Sequence, residues 1–444
     1  MNQSEPNDSS GNENDQPTGG PTPTSINDAS NLGRPAGRQP GILFIWITLF
    51  IDILGIGIVI PVLPGLVEEL SGLPASGTAF YYGVIVASYA TMQFLFAPIL
   101  GGLSDRFGRR PILLCSLFGL GVDFVIQGLA SSLLMLFIAR LISGIFGASL
   151  TTGNAYIADI STDDTRARNF GLVGAAFGLG FIFGPPLGGL LSATFSLRVP
   201  FFVTAGLALV NWLYGYFILP ESLPPEKRRP FSLKNANPFS SVTRLRRYPL
   251  VAGLAVVFLL KAFAQRGLEN VFVLFSEFKF GWNHQTVGLF LGWVGVTAVI
   301  VQGGMVRPIV KRFGERRVLL ISALISAASF IGYSMASHAW MLPVIAVVGA
   351  LGGLAGPAIQ SLVTKTVDET EQGEVQGALT SLQGLTSIAA PLVFTSGLFG
   401  YFTSEQAPFI FPGAPFLLGG ILIFISFLVA LVVFRTYPES KPSN

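Results

Sequence analysis

The sequence predicts an all-α membrane protein of twelve transmembrane helices arranged as two six-helix bundles, and three observations predict it. Of the 444 residues, 51% are hydrophobic and only 11% are charged, with a mean hydropathy of +0.62. That balance is too apolar for a water-soluble globule. Apolar stretches long enough to cross a bilayer recur in two sets of six, separated by a polar, basic segment. The short loops alternate in charge: one set holds eighteen Lys and Arg, the other only Arg198 and Lys279. Excess positive charge marks the cytoplasmic side, so both termini are expected there.

Residues 1–40 are rich in Asn, Ser, Pro, Gly and Asp and have no apolar run, the composition of a disordered tail. They lack the basic start and apolar middle of a signal peptide, so the first apolar helix is expected to act as the insertion signal. The spans are predicted at 41–64, 78–103, 111–130, 132–155, 169–193 and 199–219, then at 250–276, 285–309, 316–336, 340–364, 377–399 and 411–435. The predicted organisation is therefore a tail at 1–40, a bundle at 41–219, a basic linker at 220–248, a second bundle at 249–437 and a short tail at 438–444. The net charge of +3 sits mostly in short loops. It reports orientation, and no nucleic-acid partner is expected. One cysteine, Cys115, excludes an internal disulfide and a cysteine-based metal site.

The halves resemble each other. Asp105-Arg106-Phe107-Gly108-Arg109-Arg110 has an echo in Lys311-Arg312-Phe313-Gly314-Glu315-Arg316, with the glycines 206 residues apart. Acidic loops ending at Gly171 and Gly377 are separated by the same 206 residues. Two landmarks at one offset imply a duplicated unit. Halves related by an axis along the membrane normal place a substrate between them near the midplane.

An ionised side chain at a helix centre costs about 2.5–3.5 kcal/mol even on insertion scales. Asp52, Asp123 and Arg140 in the first half therefore need a reason. Both acids lie about a dozen residues from the cytoplasmic end of their helix, roughly 18 Å deep at about 1.5 Å per residue, and the three share one expected level. Asp52 and Asp123 can offer proton or cation sites, with Arg140 holding one ionised until a proton or substrate competes. The alternative is a static ion pair that only locks two helices. Adding 206 to these positions gives Phe258, Ser329 and Ala346, so the second half lacks the triad. The seventh span carries Lys261, Arg266 and Glu269 instead. Arg266 and Glu269, three apart, either neutralise each other locally or make Glu269 a titrating site. His284 and His338 fit exposed-loop or interface positions.

Gly180, Gly184 and Gly188 form a smooth stripe at spacing four, with Pro185 and Pro186 between the last two and Gly189 after them. Small residues at this period let another helix approach closely. Gly101, Asp105, Arg106, Gly108, Arg109 and Arg110 lie in the tight connection between the second and third spans. They serve either as an orientation anchor or as a cytoplasmic latch with Asp105 facing a helix N-terminus across the seam, a contact of about 0.3–1 kcal/mol.

With these motifs in view, the chain resembles the drug/proton antiporters of the major facilitator superfamily, in particular the tetracycline-resistance efflux branch. The resemblance runs from Gly41 to Tyr437 through Ile51–Pro64, the Gly101–Pro111 loop, GVDF at Asp123, ARLISGIFGA at Arg140, Asn154–Ser161 and Gly180–Gly189. It implies an acid in the first span at Asp52, a loop acid with arginines at Asp105, an acid at Asp123 and an arginine at Arg140. It also implies exchange of a drug, in tetracycline efflux a metal chelate, for inward-moving protons, in a bacterial inner membrane. The proton gradient is then the energy source, with no cofactor and no resident metal, and the expected partners are a small molecule, protons and the bilayer around a monomer. The sequence departs from that branch by lacking a helix 9 acid and a helix 8 histidine, since residues 316–364 hold no Asp or Glu. Proton-coupled uptake, facilitated transport and a non-transporting receptor are the alternative readings. No metalloprotease, nucleophile-elbow or phosphate-loop motif is present, so no enzyme is expected.

Overall fold

The computed structural model describes residues 42–147, 149–231, 247–368 and 371–438. The expected tail at 1–40, residues 232–246 of the linker and the last six residues lie outside them. Regular structure among the described residues is entirely helical. Twelve helices are long and apolar enough to span a membrane. They are α1 (Ile42–Val59), α2 (Ala75–Phe107), α3 (Arg109–Gly128), α4 (Leu133–Asp159), α5 (Asp164–Thr194) and α6 (Val199–Ile218). The second set is α7 (Pro249–Phe280), α8 (His284–Phe313), α9 (Glu315–Met335), α10 (Met341–Thr366), α11 (Gln372–Phe402) and α12 (Ala414–Thr436).

The predicted first span, 41–64, is shorter in the structure. It ends at Val59, and a separate short helix, Leu63–Ser71, follows. Pro61 and Pro64 cause the break, because each removes a backbone donor that a continuous helix would use. The connection at Gly108 is also tighter than a loop of charge and glycine. α2 continues through Asp105 and Arg106 to Phe107, and α3 begins at Arg109. Only Gly108 turns, at φ +106°, a conformation that any side chain would strain. Gly314, 206 residues on, makes the same turn between α8 and α9 at φ +77°.

Packing differs between the two ends of the molecule. At the end away from Gly108, one apolar core joins both halves. Val59, Val62 and Leu66 of the first half share it with Phe272, Phe275 and Phe416 of the second. At the Gly108 end there are two separate cores. Ile45, Leu49, Leu113 and Tyr156 belong to the first half, and Val251, Leu254, Leu319 and Ile359 belong to the second. The halves are thus sealed at one end and parted at the other.

The glycine stripe of α5 explains the sealed end. Ideal Cβ atoms at Gly180 and Gly184 would lie 2.6 Å from Ile53 and 2.7 Å from the Gly57 backbone, so this face meets α1. The opposite face, with Pro185, Pro186 and Gly189, meets α8 of the other half. There a Cβ at Gly292 would lie 2.6 Å from Pro186. The sequence shows room for one close neighbour, and α5 has two, one within its half and one across the seam. A second crossing joins α2 to α11, where Ser396 Oγ donates to the Phe80 carbonyl at 2.9 Å.

Candidate functional site

Between the parted cores lies a cavity of about 740 Å³. α2 lines it from Ala90 to Asp105, α4 with Gly147, Leu150 and Thr151, and α11 with Thr380, Gln383 and Ser387. Arg266 of α7 reaches it, and Arg229 to Phe231 of the linker border it. Its mouth is at the Gly108 end, where Asp105 and Arg229 sit. Volume and mixed lining suit a drug-sized solute, for which sites run about 300–1,000 Å³.

Behind the α2 and α4 walls lies a polar layer. Asp52 accepts a hydrogen bond from Ser149 Oγ at 2.8 Å. Asp123 is fully buried. Its Oδ2 accepts from Gln127 Nε2 at 2.5 Å and from the Ser143 hydroxyl. Arg140 makes no ion pair with Asp123. Its guanidinium lies 6.0 Å from the Tyr89 ring centroid, with Nε and Nη2 buried and without a hydrogen-bond partner. Asp123 Oδ1 is buried and unpartnered too. Tyr89 has Arg140, Asp52 and Asp123 all within electrostatic reach. Gln93, one turn further along α2, donates to the Tyr89 hydroxyl and to the Gly147 carbonyl, each at 3.1 Å. The layer therefore gathers two acids and one cation around a tyrosine, without the static Asp123–Arg140 pair of the alternative reading. None of the three charged groups lines the cavity itself; Gln93 and Gly147 connect them to it.

In the second half Glu269 is held by Arg266 at 2.8 Å and by Gln265 Nε2 at 3.2 Å. Lys261 points to the interruption of α10 and donates to the Gly352 carbonyl at 2.7 Å. α10 is described in two pieces, Met341–Gly352 and Ala355–Thr366. A cation at the carboxyl end of a helical piece is favourably placed against its dipole.

The Gly108 connection is a bracket. Buried Arg109 pairs with Asp105 at 2.5 Å and with Asp159, at the end of α4, at 3.0 Å. Glu221, at the start of the linker, accepts from the backbone N–H groups of Arg109 and Arg110 at 2.8 and 3.2 Å. Arg110 reaches the Tyr216 carbonyl at the end of α6 at 2.5 Å. Arg106 stacks 5.1 Å from the centroid of Phe107, and Gly101 lines the cavity. Asp105 is thus turned to its own half, not to a helix N-terminus across the seam, because the cavity mouth separates the halves at this end.

The same bracket recurs 206 residues on with its charges exchanged. Glu315 stands where Arg109 does, Lys365 stands where Asp159 does, and the two form an ion pair. Arg316, the counterpart of Arg110, lies 4.9 Å from the Phe434 ring at the end of α12. Sequence reading missed this pair, although the constant offset would have found it. It also missed Tyr89, Gln93, Ser143 and Ser149. Only the spacing of Tyr89 and Gln93, one turn apart on one face, could have pointed to them.

Twelve spans in two halves around a solute-sized cavity, with ionisable groups buried beside it, define a multi-pass membrane protein built to handle a solute. The Major Facilitator Superfamily model matches residues 45–391 and 308–444. The chain belongs to the Major Facilitator Superfamily, a family of transporters and not of enzymes. It is 41% identical over 349 residues to the tetracycline resistance protein, class C, of Escherichia coli, covering 79% of this chain and 87% of that one. It is 34% identical over 401 residues to the class D protein of Salmonella ordonez, covering 90% and 98%. The crystal structure of the human organic anion transporter MFSD10 (TETRAN) matches with a TM-score of 0.66 at 24% identity, over 88% of this chain and 98% of that one. That likeness bears on the fold.

Proposed function

We propose that the protein exports a small amphipathic compound of the tetracycline class in exchange for protons. Bundles at 41–219 and 249–437 rock about the central cavity by alternating access, in a bacterial inner membrane with both termini cytoplasmic. The observation that carries this reading is the buried layer of Asp52, Asp123 and Arg140 around Tyr89, one helix behind a cavity open at the basic end. Acids in such a layer are worth keeping in a bilayer only if their charge is used. Asp52 and Asp123 serve as the proton sites, and Arg140, with two free donors, competes with the proton for Asp123. Similarity to tetracycline resistance proteins supports the substrate class.

A second reading, an anionic substrate, is favoured by Arg266 on the cavity wall and by Lys261, which pairs with no acid among the described residues and donates to the Gly352 carbonyl. One experiment separates them. In inverted vesicles carrying the protein, an imposed proton gradient drives accumulation of a tetracycline, a protonophore stops it, and Asp52→Asn abolishes it. Accumulation of organic anions in place of tetracycline supports the second reading. Accumulation indifferent to the protonophore removes proton exchange altogether.

A further inference from the structure

At the sealed end the two halves differ in one connection. Four residues, 195–198, separate α5 from α6, whereas eleven, 403–413, separate α11 from α12, the corresponding pair. The duplication does not account for the extra length, and its composition is unlike that of a loop bathed in water. From Phe399 to Phe434 the sequence carries one charge, Glu405, and the longer connection contains Pro408-Phe409-Ile410-Phe411.

The root of this loop is fastened. The Phe411 N–H donates to the Phe402 carbonyl at 3.0 Å, which ties the returning chain to the last turn of α11. A Cβ on Gly413 would collide with the Ser334 carbonyl, so the chain runs hard against the end of α9. Phe416 is buried and meets Phe275 edge-on at 4.7 Å between centroids. Residues 412–416 are all buried, while Phe409 and Ile410 are 60% and 56% exposed. The Phe409 ring lies 5.8 Å from that of Phe402 and 6.4 Å from that of Phe411, which steady it without covering it. The tip is an apolar wedge on a rigid base, and in water it would forgo the gain of burial.

The surroundings identify its partner. α12 starts directly after the loop and exposes Leu417, Ile421, Phe424, Leu428 and Val432 at helical spacing on one face. In a spanning helix that face meets lipid. Tyr401 at the end of α11, Trp340 in the turn before α10 and Phe195 in the turn after α5 are exposed at the same end. Tyrosine and tryptophan concentrate where a bilayer meets water, so these rings mark the level at which the loop stands. Pro408, Phe409 and Ile410 offer no side-chain donor or acceptor, which suits acyl chains and not the polar rim of a protein interface. Glu405, on the other limb, is exposed and placed for the aqueous side.

We infer that residues 403–413 form an interfacial anchor whose tip, Phe409 and Ile410, sits among the lipid headgroups and the acyl chains beneath them. The anchor fixes the depth of α11, the helix whose Ser396 crosses the seam to Phe80 of α2. It stands on the membrane-spanning fold and not on the substrate or on proton exchange. The test uses the full chain in phosphatidylcholine vesicles, with Cys115→Ser and one nitroxide label at a time, at Ile410→Cys, Glu405→Cys or Ile421→Cys. Relaxation of the label is measured with oxygen, which concentrates in lipid, and with a water-soluble nickel chelate. The oxygen-to-nickel ratio at 410 lies several-fold above that at 405 and below that at 421, for a depth of about 5–10 Å, as in other interfacial segments. Phe409→Cys, labelled in place of 410, gives a similar depth, so a disturbance by one label does not decide the result. Phe409→Asp lowers the ratio at 410 to that at 405. A ratio at 410 equal to that at 405 without this substitution, or one that Phe409→Asp leaves unchanged, overturns the anchor. Poor access of both reagents to 410 overturns it as well, since the tip is then covered by protein, in these vesicles a second copy of this chain.

Discussion

The two brackets, Arg109 with Asp159 and Glu315 with Lys365, occupy corresponding places with opposite polarity, and their burial sets how much each contributes. The Arg109 and Asp159 side chains are 10% and 20% exposed. Lys365 is 65% exposed. Arg109→Ala removes the partner of a partly exposed carboxylate, leaving Asp159, among the described residues, with the Ser222 hydroxyl at 3.1 Å. Breaking a fully buried pair by deleting one member costs about 3–5 kcal/mol, and partial solvation of Asp159 brings this pair below that range. Asp105, with a side chain 44% exposed, turns to water and adds little. Glu315→Ala frees an ammonium that is already hydrated, and an exposed pair is worth at most about 1 kcal/mol. Denaturant unfolding of the purified protein in mixed micelles, with a double-mutant cycle for each pair, measures both couplings. The expected coupling is several-fold larger for Arg109 and Asp159. Equal couplings would refute the claim that burial, and not mere charge complementarity, sets the strength of these contacts.

Gly184→Ala places a Cβ against the Gly57 backbone inside one half, and overpacking of this kind costs about 1–3 kcal/mol. Gly292→Ala meets Pro186 across the seam. The halves can part to relieve it, so a distance measurement across the sealed end should shift toward the open state with little loss of unfolding stability. A stability loss in Gly292→Ala as large as in Gly184→Ala would contradict this division. Asp123→Asn keeps an acceptor for Gln127 and Ser143 and removes only the charge. It should fold normally and exchange substrate down a concentration gradient but fail to accumulate it against one. Undiminished gradient-driven accumulation would take Asp123 out of proton coupling.

The fold was legible because a bilayer imposes strong rules on sequence. Twelve apolar runs, a basic side and a glycine stripe are consequences of the cost of exposing charge or backbone to lipid. Asp52, Asp123 and Arg140 were visible for the same reason. Their neighbours were not, because Tyr89, Gln93 and Ser149 carry no charge, and an uncharged polar side chain in a span is compatible with many positions. The break after Val59 was hidden inside a continuous apolar run, and its signal was Pro61 and Pro64. His284 sits at a helix start, where histidine is unremarkable in sequence. Its enclosure by the opposite half is a property of packing alone.

The duplication constrains the two ends of the molecule differently. At the Gly108 and Gly314 turns, each half keeps a residue that pairs with the end of the fourth helix of its set, and the exchange of Arg109–Asp159 for Glu315–Lys365 leaves net charge unchanged. A single substitution at either member would strand a charge, so one step of the exchange is tolerated where solvation is easy, as at Lys365. Inside the membrane no such compensation occurred: Phe258, Ser329 and Ala346 replace the charged triad with nothing ionisable. If both halves must respond to a proton for the cycle to be coupled, the second half needs an acceptor elsewhere. At the sealed end Glu277 and His284 lie 2.9 Å apart, and His284 packs against Gly65 and Gly189 of the first half. The asymmetry of the buried charges and the position of that pair are therefore two sides of one arrangement.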